Sequence, residues 1–278
     1  MLEINNIYNM DCLEGMKYID DKSIDIIITD PPWLKTDCDF DKTDLNWNLL
    51  FKEYKRILKD NGWLFLFGTV EMAVEALKVN WKRKFEYIWI KPSIIPCTYN
   101  TARPATQHEI IFAFIKAELK KVTTLYIDKE SLKTKGDTYT RNINSTDTTG
   151  EFEVKNRRVP IDKNGNKKPI KIINNGTRVG STVIYYPNKN KLPFNERTPH
   201  PTQKPVNLIE LLIKGYCPPN GLVLDSFMGS GTTAIACINT NRNYIGFELN
   251  KEYYEIAKSR INKHIIDNNL QDKYNLIT

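Results

Sequence analysis

No run of about 18 or more apolar residues occurs in this 278-residue chain, so no stretch of it reads as a transmembrane helix. The N-terminus, Met1-Leu2-Glu3-Ile4-Asn5-Asn6, lacks the basic and then apolar order of a secretory signal, and a cytoplasmic protein without membrane association is expected. Histidine is scarce, with three in the chain, and the five cysteines, Cys12, Cys38, Cys97, Cys217 and Cys237, form no CxxC pair. No metal-ligand spacing can be drawn from so few donors, so neither a zinc site nor a disulfide framework is expected. Internal repeats are lacking as well.

With 41% hydrophobic residues, the chain has enough material for one compact core plus an appended segment. The net charge of +7 suits an anionic partner, and its distribution is uneven. Residues 116 to 199 carry 18 Lys and Arg against 9 Asp and Glu, a local +9, so the rest of the chain is at −2. This basic segment is also rich in Asn, Thr and Gly, as in Arg141-Asn142-Ile143-Asn144-Ser145-Thr146, which is loop chemistry. Val159 to Ile173 reads as a hairpin turning at Asn164-Gly165, with Ile161 on one side and Ile170, Ile172 and Ile173 on the other.

On either side the pattern alternates between short apolar runs and helical spacing. Ser23 to Thr29 suits a buried parallel strand that stops at Asp30. Thr43 or Asp44 is placed to cap a helix carrying Trp47, Leu50, Phe51, Tyr54, Ile57 and Leu58, which Asn61-Gly62 would end. Trp63 to Phe67 is the next strand, Glu71 to Asn80 a helix, and Tyr87 to Ile90 and Glu109 to Phe114 two more strands. Beyond the basic segment, helix (Val206 to Lys214), strand (Leu222 to Leu224), helix (Thr232 to Asn239), strand (Tyr244 to Phe247) and helix (Lys251 to Ile265) follow. The alternation predicts an α/β fold with a Rossmann-like, doubly wound, mostly parallel sheet.

In such sheets ligands bind beyond the carboxyl ends of strands, and two strand ends stand out. At Leu224-Asp225-Ser226-Phe227-Met228-Gly229-Ser230-Gly231-Thr232-Thr233 a strand enters a Gly-rich turn that opens a helix. Gly229 and Gly231 permit tight backbone geometry and close ligand approach. Glu248, at the end of the next strand, is placed to accept hydrogen bonds from a ribose diol. Gly229-x-Gly231-x-x-Ala234 also matches a dinucleotide fingerprint, but an anionic Asp225 would repel a pyrophosphate and would suit a cationic amine.

The second strand end is Asp30-Pro31-Pro32-Trp33. The exocyclic amine of a purine is a poor nucleophile because its lone pair is conjugated into the ring. Acceptors for both amine hydrogens would favour a tetrahedral nitrogen, and Asp30 with the Pro31 carbonyl supplies two. Pro31 and Pro32 stiffen the backbone, and Trp33 offers a face for an extruded base, stacking being worth about 1–3 kcal/mol per base.

Together these two stretches resemble the S-adenosylmethionine-dependent DNA amino-methyltransferases, and their order resembles the beta class of that family. Asn9-Met10-Asp11-Cys12-Leu13 looks like the family's cofactor-adenine motif, and His200-Pro201-Thr202-Gln203-Lys204-Pro205 like the motif before the cofactor strand. Trp89-Ile90-Lys91-Pro92 and His108-Glu109 resemble the strands lining the target pocket. The resemblance implies that Asp11 and Cys12 meet the cofactor adenine, that Asp225, Phe227, Gly229 and Gly231 hold its methionine end, and that Glu248 meets its ribose. It places Thr202 and Lys204 on the carboxylate side. The family's commonest ending is Tyr, so Trp33 keeps the stacking face and loses the phenol.

Asp at position 30 resembles the adenine-directed form, while cytosine 4-amino enzymes more often carry Ser there. The implied reaction is direct in-line transfer to the 6-amino group of a flipped adenine in a specific DNA sequence, with no metal. Alternatives are a cytosine 4-amino methyltransferase, a nicotinamide-dependent oxidoreductase, which leaves Asp30 to Trp33 unexplained, and a non-catalytic DNA-binding module, which leaves both strand ends unexplained. The domain reading is a catalytic half at 1–118, a basic target-recognition insertion at 119–195 and the cofactor-binding half at 196–278. DNA is the expected partner, and the resemblance leaves room for a homodimer and a cognate restriction endonuclease.

Overall fold

The computed structural model describes residues 2–33, 45–95, 106–119, 124–135, 139–143, 170–174 and 177–278. Two compact units are present, Met1–Ser131 with Thr182–Thr278, and Leu132–Ser181.

The larger unit is built on an eight-stranded sheet. In chain order its strands are β1 (Asn6–Tyr8), β2 (Ile24–Thr29), β3 (Leu58–Gly68), β4 (Trp81–Ile95), β5 (Thr106–Lys116), β10 (Val183–Tyr185), β11 (Leu222–Asp225) and β12 (Asn243–Phe247). They lie side by side in the order β1-β12-β11-β2-β3-β5-β4-β10. All neighbouring pairs are parallel except β3 with β5 and β5 with β4. The sheet is thus doubly wound and mostly parallel, as the alternating pattern predicts. Ile24, Ile26, Ile27 and Ile28 of β2 are buried to 1% exposure or less, as a central parallel strand covered on both faces requires.

Helices α1 (Cys12–Met16), α2 (Trp47–Ile57) and α3 (Val70–Lys78) pack as one group, and α4 (Val206–Tyr216), α5 (Thr232–Asn239) and α6 (Lys251–Asp267) as another. Leu50, Phe51, Tyr54 and Ile57 form the buried stripe of α2. Asn46 caps that helix, its side chain accepting from the Leu49 amide at 3.0 Å, so the cap falls two or three residues later than Thr43 or Asp44, which lie outside the described residues. Asn61-Gly62 does not end the helix. The chain turns extended at Leu58, and both residues lie within β3, where a Cβ on Gly62 would meet the Asp25 carbonyl at 2.8 Å.

The switch in strand order falls between β11 and β2. From β11 the chain passes through α5 to β12 on one side, and from β2 through α2 to β3 on the other. Connections that leave two neighbouring strands in opposite directions open a cleft at their carboxyl ends, which is why such sheets bind ligands there. Asp225 ends one of these strands and Asp30 follows the other.

The smaller unit holds two antiparallel pairs, β6 (Lys133–Lys135) with β9 (Thr177–Val179) and β7 (Tyr139–Ile143) with β8 (Ile170–Asn174). The apolar run at Ile170, Ile172 and Ile173 is therefore a strand, and the partner it has is Tyr139–Ile143. The other arm of the expected hairpin and its Asn164-Gly165 turn lie outside the described residues. Residues 119–131 and 182–195 cluster with the larger unit.

Candidate active site

The ends of β2 and β11 are riveted together beneath the cleft. Thr29 Oγ1 and Ser226 Oγ lie 3.0 Å apart, and the Tyr54 hydroxyl reaches both, at 3.3 Å from Thr29 and in a short contact with Ser226. Thr29 precedes Asp30 and Ser226 follows Asp225, so this buried hydroxyl cluster fixes the spacing of the two carboxylates. Tyr54 reads in the sequence only as one more apolar position of α2; nothing in its spacing reveals the hydroxyl's partner.

Above the cluster opens a pocket of about 600 Å³. Asp11, Cys12, Asp30, Pro31, Pro32, Trp33, Thr202, Lys204, Phe227, Gly229 and Glu248 all line it. Asp225 lines a smaller adjoining hollow of about 40 Å³ that shares Asp30, Thr202, Lys204, Phe227 and Gly229 with the large one. Gly231 lines neither. Its backbone is left-handed, with φ +79°, and a Cβ there would point at Ala257 and Ile261 of α6, 3.2 Å away. The space beside the Gly231 Cα is therefore closed by a helix. At Gly229, φ +53°, an added Cβ would meet the His200 ring at 3.1 Å, inside the lining of the pocket.

The turn is held by its carboxylates. Asp225 accepts from the Phe227 amide at 3.1 Å and from Thr233 Oγ1 at 2.5 Å. Glu248 accepts from the Gly229 amide and from the Asn250 amide, both at 2.8 Å. Burial raises Asp225 to about 7 and raises Glu248. No salt bridge reaches Asp225 among the described residues, so the strand end offers a buried, uncompensated carboxylate to a cationic ligand. Each carboxylate oxygen keeps a second lone pair after these bonds. Asp11 caps α1, accepting from the Leu13 amide at 2.8 Å and the Glu14 amide at 3.2 Å. The Cys12 thiol is pushed up to about 12 by burial, so it is not a thiolate nucleophile at neutral pH.

Across the pocket stands a charged chain that composition does not reveal. Trp33 Nε1 donates to Asp30 Oδ1 at 3.2 Å, and Lys204 Nζ closes on Asp30 Oδ2. Lys204 lies 3.7 Å from Glu109 Oε2, and Lys91 Nζ holds Glu109 Oε1. Lys91 is on β4 and Glu109 on β5, paired strands that the sequence reading linked to the target pocket. Lys204, expected on the cofactor's carboxylate side, is thus seated on Asp30. Gln203 positions it by accepting from Thr198 N and Oγ1, at 2.8 and 2.9 Å, and donating to the Glu196 carbonyl at 2.8 Å. His200 is neutral at pH 7, lowered to about 4 by burial and then by Lys204 and Lys189, and its ring packs edge-on against Tyr253.

The family model for DNA methylases of the N6/N4 type matches residues 24–259. The chain is also 31% identical to the type II methyltransferase M1.MboII of Moraxella bovis over 277 residues, which is 95% of this chain and 98% of that one. The chain belongs to the DNA methylase family. Among solved structures, the M1.HpyAVI–SAM complex (SAM being S-adenosylmethionine) superposes with a TM-score of 0.57 at 25% identity, over 92% of this chain and 98% of that one. The PvuII DNA methyltransferase, which is cytosine-N4-specific, superposes at 0.61 and 17% identity over 97% and 90%, a likeness of fold.

For a DNA methylase the two strand ends acquire distinct sense, a buried acid behind the glycine turn and a partly buried acid beside tryptophan. Trp33, partly buried, and Trp89, 1% exposed with its indole N–H on the Tyr186 carbonyl at 2.9 Å, give the large pocket aromatic walls. No group of His, Cys, Asp and Glu suited to a metal ion is found among the described residues, and no described helix is long and apolar enough to cross a membrane.

Proposed function

We propose that this DNA methylase transfers a methyl group from S-adenosylmethionine to the 6-amino group of adenine within a specific DNA sequence. The observation that carries the reading is the placement of Asp225 and Asp30 on either side of the switch point, one buried without a salt bridge and one facing a pocket large enough for a base.

The residues present fit the cofactor. Asp225 suits the amine of its methionine end, Glu248 its ribose, Asp11 and Cys12 its adenine, and Thr202 with the Gly229 turn the approach between them. When bound, the cofactor supplies an electrophilic methyl group on a sulfonium. Burial raises Asp225 far enough that its charge is only partly developed without a cation nearby, so a bound amine and the ionised carboxylate stabilise each other.

On the acceptor side, the target base leaves the duplex at a cost of a few kcal/mol and stacks between aromatic walls. Asp30 accepts one hydrogen of its amine and the Pro31 carbonyl the other, aiming the nitrogen lone pair along the line of transfer. As the nitrogen–carbon bond formed and the methyl carbon's bond to sulfur broke, leaving a neutral thioether, the amine would become cationic, and the Asp30 carboxylate would take the proton it sheds. Catalysis rests on positioning and on preorganised acceptors. Aspartate at position 30 supports adenine over cytosine. The basic unit Leu132–Ser181 is read as the element that meets DNA, its strands carrying Lys133, Lys135, Arg141, Lys171 and Arg178.

Isotopically methyl-labelled S-adenosylmethionine, duplex DNA of random sequence and nucleoside mass analysis test the proposal. Label in N6-methyladenine is the expected outcome. Label in N4-methylcytosine would move the assignment to the other amine, and label in neither would overturn it.

A further inference from the structure

Four side chains from four separate segments form an alternating chain of charge on the wall of the large pocket. Lys91 comes from β4, Glu109 from β5, Lys204 from the loop before α4 and Asp30 from the end of β2. Their side chains are 7%, 14%, 11% and 24% exposed. The charges sum to zero, yet taking four ions out of water costs more than such pairs generally return, so stability alone is a poor reason for the arrangement.

Both oxygens of Asp30 are engaged, one by Lys204 and one by Trp33. A carboxylate gripped by an ammonium is a weaker acceptor for an arriving amine. The neighbouring Glu109 Oε2 is buried without a hydrogen-bond partner among the described residues and lies 3.7 Å from the same ammonium. Glu109 itself is anchored, because Lys91 holds its other oxygen and Gln107 Nε2 donates to the Lys91 carbonyl at 3.1 Å.

We propose that Glu109 is a positioning residue for methyl transfer, providing a second seat for the Lys204 ammonium so that Lys204 yields Asp30 when the target amine arrives. The inference rests on the reading of Asp30 as the amine's acceptor. It adds the group that releases that acceptor. In the resting protein Lys204 favours the charged form of Asp30 against the effect of burial, and Glu109 keeps Lys204 from locking there.

The groups facing Asp30 are Lys204 and Glu109, with Asp225 at the neighbouring strand end and Lys91 beyond Glu109. Burial raises Asp30, Lys204 works against that rise and Glu109 adds to it. The two neighbours therefore have opposite signatures. In Glu109→Gln, Asp30 loses a nearby negative charge and has Lys204 to itself. The acid limb of the rate profile should move to lower pH while the rate on the plateau falls by about 10-fold or more, as a mispositioned reacting group costs. In Lys204→Gln the acid limb should move to higher pH.

The experiment measures single-turnover methyl transfer to duplex DNA from S-adenosylmethionine across pH for the wild type and both variants. Carbon-13 carboxyl titration of Asp30 in the same proteins without DNA or methyl donor accompanies it. Opposite displacement of Asp30 in the two variants, with Glu109→Asp restoring part of the Glu109→Gln loss, is the expected result. An unmoved Asp30 titration, shifts of the same sign, or a Glu109→Gln plateau within about twofold of wild type overturns the inference, since a residue that acted only through its charge would shift the titration and leave the plateau rate in place. Should Glu109→Gln not fold, the Lys204→Gln titration decides alone, and no upward shift there overturns it. A wild type that transfers no methyl group to DNA refutes the functional reading, whereas an active wild type with unmoved titrations refutes only the role of Glu109.

Discussion

Lys204 and Asp30, 174 residues apart in the chain, meet as an ion pair on the wall of the pocket. The pair joins the motif before the cofactor strand to the tetrapeptide after β2. Lys204 faces Asp30, Glu109 and, at 5.3 and 5.9 Å, the rings of Phe67 and Trp33. Burial acts to lower the Lys204 ammonium, but Asp30 and Glu109 outweigh it and raise it above the ordinary lysine value, so it stays charged at neutral pH.

The two glycines of the cofactor turn should fail differently when changed. Gly231→Val puts a branched side chain at φ +79° against Ala257 and Ile261, and should destabilise the protein by about 2–4 kcal/mol through left-handed strain and overpacking. Gly229→Ala, whose Cβ would press on His200, should cost about 1–2 kcal/mol for the left-handed backbone and weaken S-adenosylmethionine binding as well. Denaturant unfolding and calorimetric titration separate the two effects. Equal loss of affinity per unit of lost stability in both variants would contradict the division.

Asp225 ties stability to pH. Burial raises its carboxyl to about 7, above its value in an unfolded chain. In the window between about 4 and 7 the folded state holds a proton that the unfolded state has released, so folding stability from this group falls as pH rises through that window. Asp225→Asn removes the titration. Relative to wild type, the variant should gain stability as pH rises across the window, by about 4 kcal/mol at most, with no further relative change above pH 7. Thermal melts from pH 4 to 8 measure the difference, and parallel curves for the two proteins would rule the effect out. Saturating S-adenosylmethionine should stabilise the wild type more than Asp225→Asn.

Much of this was legible from the chain because the large features have strong local signals. Ile24 to Ile28 is a run only a twice-covered strand accepts, and the Gly-rich turn after Leu224 marks its own place at a strand end. The boundaries of α2 were less clear, since Asn61-Gly62 carries the chemistry of a helix stop while sitting inside β3, where strand pairing overrides local preference. Strand β1 and helix α1 span three and five residues, too short for periodicity to declare, and only the motif at Asp11 pointed to them. The pairing of Lys204 with Asp30 and Glu109 had no local signal at all, because it is made by three segments distant in sequence. For Gly231 the residue type was readable, but the neighbour that requires it, α6, was not.

The smaller unit should govern DNA affinity. If its Lys and Arg residues meet phosphates, log K should fall with log salt by about 0.9 for each phosphate neutralised. Replacing residues 132–181 with a Gly-Ser linker should flatten that slope and abolish sequence-specific methylation while S-adenosylmethionine binding persists. Salt-dependent affinity measurements and single-base methylation mapping test this, and specific methylation by the shortened protein would place recognition elsewhere.

The most direct test of the account is the methyl-transfer rate of Asp30→Ala beside the wild type, on the same duplex DNA, with S-adenosylmethionine affinity measured calorimetrically in both. Asp30 lines the large pocket and takes no part in the hydrogen bonds that hold the carboxylate-lined turn, so the account predicts cofactor affinity within about threefold of wild type and a single-turnover rate of N6-methyladenine formation lower by about 100-fold or more, the scale for losing one preorganised polar group. A folded Asp30→Ala protein that methylates DNA at the wild-type rate would contradict it.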